Sequence, residues 1–410
     1  MNLILVEGTI IFVFTYFLIT IKNIFRKSIP RSVSSLFGAA LMVIFGIVPI
    51  YELVQSINLG IILLLFGMMT IVGIFGSIGF FEWVANKLIN ISRNGRNLLI
   101  LLSVSTAFLS AFFLNDAVVL FFSPIVIKII KEEKLNPAPF LLSLIFSANI
   151  GSLATEIGNP QNAYIGIISK IPFLYYFERL YIVSLISLFI SIIFLYIYYR
   201  KDLNVEFNLR NGEIKIKNKK MAIFGISIVI TMIIFMIILK NPDALFIIPF
   251  ISASIMLFSY TFINDSDPRR IIRDVDWNII MFFIGLFIIL QGITLIGIPN
   301  IIENYMYKSG ISLKNPYWYT IFVSLISNLV SNVPAVLLIG SFTTGTNYWL
   351  DLAMSSTLSG NMTVIGAAAN LIVLEIASFN NIEISWKEFI KIGLPMSIIT
   401  IIIGTYIIFI

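Results

Sequence analysis

The sequence predicts an all-α polytopic membrane protein with ten transmembrane helices and two re-entrant hairpins. Of its 410 residues, 59% are hydrophobic and 12% are charged, whereas soluble domains are about 45–50% apolar and about 25% charged. So few charges cannot cover a soluble surface. Composition therefore excludes a soluble enzyme, a disordered chain and a nucleic-acid partner, and it makes the lipid bilayer the expected partner of a multi-pass protein in the cell membrane.

Ten apolar stretches are long enough to cross a bilayer, which takes about 20 residues. The first lacks a small-residue cleavage site and is predicted to be a retained helix. Two stretches are longer than one span and contain glycine, asparagine and threonine in their middle, which predicts broken helices at 140–168 and 350–376. The other predicted spans are 3–21, 33–51, 57–79, 181–199, 221–239, 244–262, 276–298 and 392–410.

Two further apolar stretches, 98–127 and 317–342, are interrupted centrally by polar clusters. Each is too long for one helix and too short for two full spans. We therefore predict that both enter and leave the membrane on the same side. Backbone at such an interruption must be buried in protein or line a cavity, because lipid offers it no hydrogen bonds.

The basic residues predict an orientation. With the segment after the first helix in the cytoplasm, cytoplasmic loops hold 22 of the 27 Lys and Arg residues, as the positive-inside rule requires. Basic clusters flank both ends of the first hairpin, at 87–96 and 128–134, so both ends belong on one face. This layout places both termini outside.

The chain also divides into two similar halves. Residues 1–199 are predicted to form a first inverted repeat, 200–220 a basic cytoplasmic linker, and 221–410 a second repeat. Each half has five spans and one hairpin, and an odd number of spans inverts one half relative to the other. Three blocks align in order, at 58–67 with 276–285, 114–120 with 331–337, and 155–162 with 363–370. Inverted repeats with matching interruptions are typical of secondary transporters.

The interruptions supply the candidate binding residues. Half-helix N-termini suit an anion or an oxygen-rich neutral solute, and half-helix carbonyls suit Na⁺. Glycine permits unusual backbone torsions there, and proline removes a hydrogen-bond donor. The predicted substrate- and ion-binding residues are Asn115, Asp116, Thr155, Glu156, Gly158, Asn159, Asn162, Asn332, Thr363, Gly366 and Asn370.

Asp116 and Glu156 lie inside long apolar stretches. A carboxylate in mid-membrane costs about 2.5–3.5 kcal/mol on insertion scales, so such acids commonly handle protons or ions. A site for Na⁺ is predicted near Asn115, Asp116 and Asn332. Structural roles are the alternatives: helix capping for Asp116 and the two tip asparagines, and backbone hydrogen bonding for Glu156 and the threonines.

The residues around these positions resemble the ion transporter superfamily, in particular its arsenite permease, citrate-transporter-like and P protein branch. The resemblance rests on Asn115-Asp116-Ala117-Val118-Val119-Leu120, on Ala154-Thr155-Glu156-Ile157-Gly158-Asn159-Pro160-Gln161-Asn162 and on Ser359-Gly360-Asn361-Met362-Thr363-Val364-Ile365-Gly366. It covers nearly the whole chain. It implies an inverted-repeat carrier, a homodimer in which hairpins and broken helices hold the solute and move it elevator-fashion.

The sequence departs from these relatives at two points. The Ser-Asn-Thr tip motif of dicarboxylate carriers is missing, because the tips are Leu114-Asn115-Asp116 and Ser331-Asn332-Val333. Glu156 stands where the arsenite permease pattern commonly has leucine.

The expected function is secondary active transport of a small inorganic solute or anion, such as arsenite or antimonite, coupled to H⁺ or Na⁺. The alternatives are a Na⁺/H⁺ antiporter, a sodium-coupled di- or tricarboxylate transporter and, more remotely, a channel or intramembrane enzyme. The chain has no His and no Cys, so a zinc site, a thiolate nucleophile and a Ser-His-Asp triad are excluded and no catalytic residues are predicted. No cofactor is expected beyond the coupling ion, and an ATPase subunit on another chain stays open.

Overall fold

The computed structural model describes residues 3–20, 23–24, 27–206, 214–263, 267–310 and 312–410. Within these residues the chain folds into twenty α-helices and one antiparallel ladder of two short strands, β1 (Asn23–Ile24) and β2 (Lys27–Ser28). Residues 207–213 of the predicted linker, and the first two residues of the chain, lie outside the described part. The predicted all-α class is confirmed.

Ten helices precede the linker. They are α1 (Leu3–Thr20), α2 (Arg31–Ile44), α3 (Ile50–Ser56), α4 (Leu59–Ser77), α5 (Phe80–Ile91), α6 (Gly95–Phe112), α7 (Asn115–Glu132), α8 (Pro137–Ser152), α9 (Pro160–Ser169) and α10 (Phe173–Tyr198).

Ten more described helices follow the linker. They are α11 (Lys219–Ile238), α12 (Ala244–Ile263), α13 (Arg269–Asp274), α14 (Trp277–Leu295), α15 (Ile298–Lys308), α16 (Pro316–Val330), α17 (Asn332–Gly340), α18 (Thr346–Ser359), α19 (Ala368–Phe379) and α20 (Trp386–Phe409).

Local structure recurs between the two sets of helices. The short helices α3 and α13 have 7 and 6 residues and occupy the same place in the order. Side-chain caps recur as well, because Asn58 accepts a hydrogen bond from Ile61 N at the start of α4, and Asp276 accepts one from Asn278 N at the start of α14. Elements that the sequence aligns therefore begin in the same way.

The two halves cross each other closely at two equivalent places. Helix α4 packs on α12, and α14 packs on α2. At the first crossing a Cβ on Gly67 would lie 2.9 Å from the backbone of Pro249, and at the second a Cβ on Gly285 would lie 2.6 Å from the backbone of Ser35. Only glycine allows the backbones to approach this closely.

The most deeply buried helices are the first segments of the two broken helices. Every residue of α8 from Ala138 to Ser152 is buried, as is every residue of α18 from Trp349 to Ser359. Neither helix therefore has a stripe facing lipid. They form the centre of the molecule, with the hairpins and longer helices packed around them.

Eight described helices are long and apolar enough to cross a membrane: α1, α4, α6, α10, α11, α12, α14 and α20. Seven of them correspond to predicted spans, whereas α6 is the first arm of the first predicted hairpin. The predicted span 33–51 is shorter in the structure, because α2 ends at Ile44 and α3 begins only after Pro49. The short helices α3, α5, α13 and α15 were not predicted.

In both predicted hairpins and both predicted broken helices, a helix ends and another begins where the polar residues predicted an interruption. Helices α6 and α7 are separated by Phe113 and Leu114, and α16 and α17 by Ser331, whose φ is 75°. The first broken helix is interrupted from 153 to 159 and the second from 360 to 367. Residues next to all four interruptions lie around one cavity.

Candidate functional site

A cavity of about 260 Å³ lies between the hairpin tips and the points where the broken helices restart. Four helices contribute residues from their first turn to its wall. These residues are Asn115 and Asp116 of α7, Pro160 and Gln161 of α9, Asn332 and Val333 of α17, and Ala368 of α19.

The four helix N-termini add partial positive charge at this cavity. The first N–H groups of a helix have no partner within the helix, and the aligned peptide dipoles add a partial positive charge there. Four such ends facing one cavity favour an anion or the oxygen atoms of a neutral polar solute.

Three charged side chains also line the cavity: Arg31 at the start of α2, Asp116, and Asp276 before α14. Arg31 donates a hydrogen bond of 3.5 Å to the Ser331 hydroxyl at the second hairpin tip. Arg31 and Asp276 were not predicted as site residues. In the sequence, Arg31 resembles an ordinary loop residue. Asp276 could have been found from the repeat, because it aligns with Asn58 in the first half.

The polar residues Ser32 and Asn278 complete this wall of the cavity. The Ser32 hydroxyl donates to the Asn278 carboxamide oxygen at 3.2 Å. Each belongs to a different half of the chain, so the second side of the cavity, like the first, is built from both halves.

The two hairpin tips share one geometry. The Asn115 carboxamide oxygen accepts from the Asp116 backbone N–H at 2.9 Å, and the Asn332 oxygen accepts from the Val333 N–H at 2.9 Å. Both asparagines are buried and line the cavity. Asn115 also donates to Asn149 at 3.2 Å. Each tip asparagine, the first residue of its helix, thus binds the next backbone N–H while bordering the cavity, although the N-cap residues Leu114 and Ser331 make no side-chain cap hydrogen bond.

The broken helices are held open in the same way in both halves. Asn162 donates from its carboxamide nitrogen to the carbonyl oxygens of Ser152 at 3.0 Å and Thr155 at 3.4 Å. Asn370 donates in the same way to Gly360 at 2.7 Å and Thr363 at 3.0 Å. Both asparagines are fully buried and neither lines the cavity. They satisfy carbonyls that the interruption leaves free.

Asn159 stabilises the first interruption from its other end. Its carboxamide oxygen accepts from the Asn162 backbone N–H at 2.8 Å and so caps α9, while its nitrogen donates to the Ser152 hydroxyl at 2.8 Å. It is buried behind the cavity wall. In the second half Ala367 precedes α19 and provides no side-chain cap.

The threonines tie each interruption to a hairpin. Thr155 donates to the carbonyl oxygen of Ala111 at the end of α6. Thr363 donates to the carboxamide oxygen of Asn328 near the end of α16, at 2.9 Å. Each hairpin tip is therefore fixed relative to its neighbouring broken helix.

The glycines at the interruptions leave no room for a side chain. A Cβ on Gly158 would lie 2.5 Å from the Ser152 carbonyl oxygen, and one on Gly366 would lie 2.8 Å from the Gly360 carbonyl oxygen. Gly158 also accepts a hydrogen bond of 3.0 Å from the Asn115 N–H. Both glycines pack backbone against backbone behind the site.

Glu156 lies apart from the cavity. It is completely buried, it is not among the cavity-lining residues, and neither carboxyl oxygen has a hydrogen-bond partner within the described residues. A Cβ on Gly166 would come within 2.7 Å of the Glu156 carboxyl carbon, so Gly166 provides the space that the acid occupies. The predicted site residues thus form two sets, with Asp116 in the cavity and Glu156 outside it.

A second fully buried acid, besides Glu156, was not predicted. Asp351 in the middle of α18 accepts a hydrogen bond of 2.9 Å from the Thr320 hydroxyl, and Thr405 approaches its other oxygen at 3.5 Å. Among the described residues no group of three or more His, Cys, Asp and Glu side chains is placed to hold a metal ion.

A predominantly helical fold with many helices long and apolar enough to cross a membrane, and a cavity with charged and polar side chains at the interruptions of its helices, indicates a multi-pass membrane transporter. A family model described as the citrate transporter family (CitMHS) matches residues 15–348. The chain belongs to this family, as the resemblance to the ion transporter superfamily predicted.

Proteins of similar sequence or structure are also described as transporters. The chain is 28% identical to the silicon efflux transporter LSI3 of Oryza sativa subsp. japonica, over 97% of this chain and 96% of that protein. It is 26% identical to the putative transporter arsB of Dictyostelium discoideum, over 95% and 89% of the two chains. The crystal structure of the YdaH transporter of Alcanivorax borkumensis has a similar fold, with a TM-score of 0.56, 13% identity and coverage of 98% and 97%. These relatives indicate a secondary transporter of anions or other small solutes.

Proposed function

We propose that the protein moves a small inorganic solute or anion of the arsenite type across the membrane by elevator-type alternating access, coupled to H⁺ or Na⁺. The observation that carries the proposal is the convergence of four helix N-termini and Arg31 on one cavity. The positive ends of helix dipoles and a guanidinium attract oxygen atoms that carry full or partial negative charge.

The size of the cavity supports a small solute. A volume of about 260 Å³ compares with about 30 Å³ for one water molecule in the liquid. An inorganic oxyacid with a few oxygen atoms fits this space together with some water. A tricarboxylate would bring up to three negative charges to a wall that holds one Arg and two Asp residues, which favours the smaller solute.

Asp116 is the residue we assign to the coupling ion. It lies at the first turn of α7, next to Asn115 and in the same cavity as Asn332. A carboxyl group beside the solute can exchange a proton or bind Na⁺ with help from carboxamide oxygens. Binding of the coupling ion at Asp116 then changes the charge of the cavity wall beside the solute.

Uptake of radiolabelled arsenite, phosphate and citrate into proteoliposomes, with imposed H⁺ or Na⁺ gradients, tests the proposal. We expect saturable uptake of a small oxyacid that follows one of the two gradients. Arg31→Gln should reduce that uptake at least tenfold, whereas the exposed Arg273→Gln removes the same charge elsewhere and should not. Citrate uptake in preference to every small oxyacid would contradict the proposed substrate class.

A second candidate is Na⁺/H⁺ exchange. The presence of two carboxyl groups, Asp116 and Asp276, in one cavity favours it, because a pair of acids binds cations better than anions. Sodium flux driven by a pH gradient, without any oxyacid present, would replace the first proposal by this one.

A further inference from the structure

A second cavity, of about 600 Å³, lies at the surface between α5 and the beginning of α11. We call it the linker pocket, because the last described residues of the linker form one of its sides. One stripe of each helix faces it, with spacings of three and four residues that place side chains on one helix face. The stripes are Trp83, Asn86, Lys87 and Asn90 on α5, and Lys219, Ala222, Ile223 and Ile226 on α11.

The polar end of the linker pocket is cationic. Lys87, Lys215 and Lys219 line it, and its lining includes no Asp or Glu among the described residues. The Lys87 ammonium lies 5.1 Å from the centre of the Trp83 ring, a cation–π contact that holds the charge towards the pocket. Three ammonium groups without a counter-charge favour a bound anion.

The other end of the linker pocket is apolar and exposed. Ile223 is 70% exposed and Ile226 is 40% exposed, on a helix that is apolar enough to cross a membrane. Lys219 stands at the first residue of that helix and the isoleucines follow further along it. If α11 crosses the membrane, the lysines would therefore lie at the level of the headgroups and the isoleucines at the level of the acyl chains. Helix α5 has its tryptophan in the same region, as interfacial helices commonly do.

We propose that the linker pocket binds one anionic phospholipid, with its phosphate between the three lysines and an acyl chain along Ile223 and Ile226. A soluble anion would contact the lysines but not the isoleucines. A pocket that is cationic at one end and apolar at the other therefore favours a lipid. The lipid would join the linker to α5, because Ile214, Lys215 and Ile216 belong to the pocket wall. The linker pocket shares no lining residue with the cavity of about 260 Å³, so this proposal does not depend on the solute transported.

Native mass spectrometry of the purified full-length protein, titrated with phosphatidylglycerol or phosphatidylcholine, tests the proposal. We expect one phosphatidylglycerol molecule to bind more tightly than the rest, and phosphatidylcholine to show no such site. Since each lysine near an anionic lipid contributes about one kcal/mol, the variant Lys87→Gln/Lys215→Gln/Lys219→Gln should bind that lipid on the order of 100-fold more weakly.

Two controls distinguish a built site from general attraction. The variant Lys128→Gln/Lys134→Gln/Lys201→Gln removes the same charge from exposed positions outside the pocket and should retain the tight lipid. Equal loss of binding in both triple variants would overturn the proposal. Should the first triple variant fold poorly, the single change Lys87→Gln at an exposed side chain serves instead, with a loss of several-fold expected.

The acyl chain is tested separately. Ile223→Ser should weaken phosphatidylglycerol binding several-fold. Glycerol phosphate, which has the phosphate without acyl chains, should displace the lipid only poorly. If glycerol phosphate binds as tightly as the lipid, the linker pocket is a site for soluble anions and the proposal is wrong.

Discussion

The carboxamide nitrogen of Asn149 in α8 donates to the carboxamide oxygen of Asn370 in α19, at 2.9 Å, and so joins the two halves behind the cavity. The reverse connection is present as well, because the Thr357 hydroxyl of α18 lies 3.5 Å from the Asn162 oxygen of α9. The first segment of each broken helix thus contacts the second segment of the other. Since Asn370 also holds its own interruption open, the two interruptions are coupled through buried hydrogen bonds.

This coupling predicts a measurable interaction energy between Asn149 and Asn370. Replacing either by alanine should destabilise the protein by about 1–3 kcal/mol, because buried partners lose their hydrogen bonds. The double variant should be less destabilised than the sum by about 0.5–1.5 kcal/mol, a range typical of pairs within membranes. Unfolding of the unaltered protein, both single variants and the double variant in mixed detergent micelles measures this interaction energy. Strictly additive losses of stability would show that the contact does not couple the halves.

Asp116→Asn should abolish coupled transport and leave folding intact. The substitution keeps the shape of the side chain and removes its ability to bind a proton or Na⁺. The change is measured as uptake with and without an ion gradient, with thermal stability recorded on the same sample. Asp267→Asn, at an exposed position, is the matched control. Gradient-driven uptake at the normal rate in Asp116→Asn would exclude Asp116 as the coupling residue.

Gly158→Ala and Gly366→Ala should each disturb the site through the backbone. The new Cβ atoms would lie 2.5 Å and 2.8 Å from carbonyl oxygens, distances that force neighbouring backbone to move. We expect a loss of stability of about 1–3 kcal/mol for each and weaker solute binding. Gly73→Ala is the control, because a Cβ there would meet only the Ile271 side chain at 3.4 Å. Thermal unfolding that ranks Gly73→Ala with the other two would contradict the steric explanation.

Glu156→Leu should leave stability unchanged or increase it. Both carboxyl oxygens lack partners among the described residues, so leucine removes a polar group whose burial is costly. If Glu156 also carries a coupling ion, the variant should change the dependence of transport on pH or Na⁺. Thermal unfolding and ion-dependent uptake measure the two effects separately. A large loss of stability would indicate that the acid has a structural partner.

Asp351→Asn should be tolerated better than Asp351→Leu. The Thr320 and Thr405 hydroxyls donate to the two oxygens of the Asp351 carboxyl. A hydroxyl can donate to the oxygen of a carboxamide almost as well as to that of a carboxyl group. Leucine leaves both hydroxyls without this partner. We expect a difference of about 1–3 kcal/mol in the free energy of unfolding. Equal stability of the two variants would mean that the hydroxyls rely on backbone carbonyls and on each other.

Much of the architecture is visible in the sequence, because lipid leaves few ways to satisfy a polar backbone. Asn115, Asn332 and the stretches around Gly158 and Gly366 interrupt apolar runs, and helices are interrupted at each of these places. Three aligned blocks also place equivalent residues in equivalent hydrogen bonds, as Asn162 and Asn370 show.

The remaining features depend on packing that the sequence does not encode locally. Arg31 and Asp276 stand next to the ends of apolar runs, where charges are ordinary, and only the packing of α2 against α14 brings them to the cavity. Glu156 is predicted with Asp116 because both lie inside long apolar stretches, yet only Asp116 lines the cavity and Glu156 is buried apart from it. The elevator motion, the coupling ion, the homodimer and the orientation of the termini stay predictions.

The paired crossings at Gly67 and Gly285 make the attachment between the two halves reciprocal. Since the first half supplies the glycine at one crossing and the second half supplies it at the other, the same contact is made twice with the roles exchanged. A larger side chain at one glycine would therefore separate one pair of helices and leave the other crossing in place.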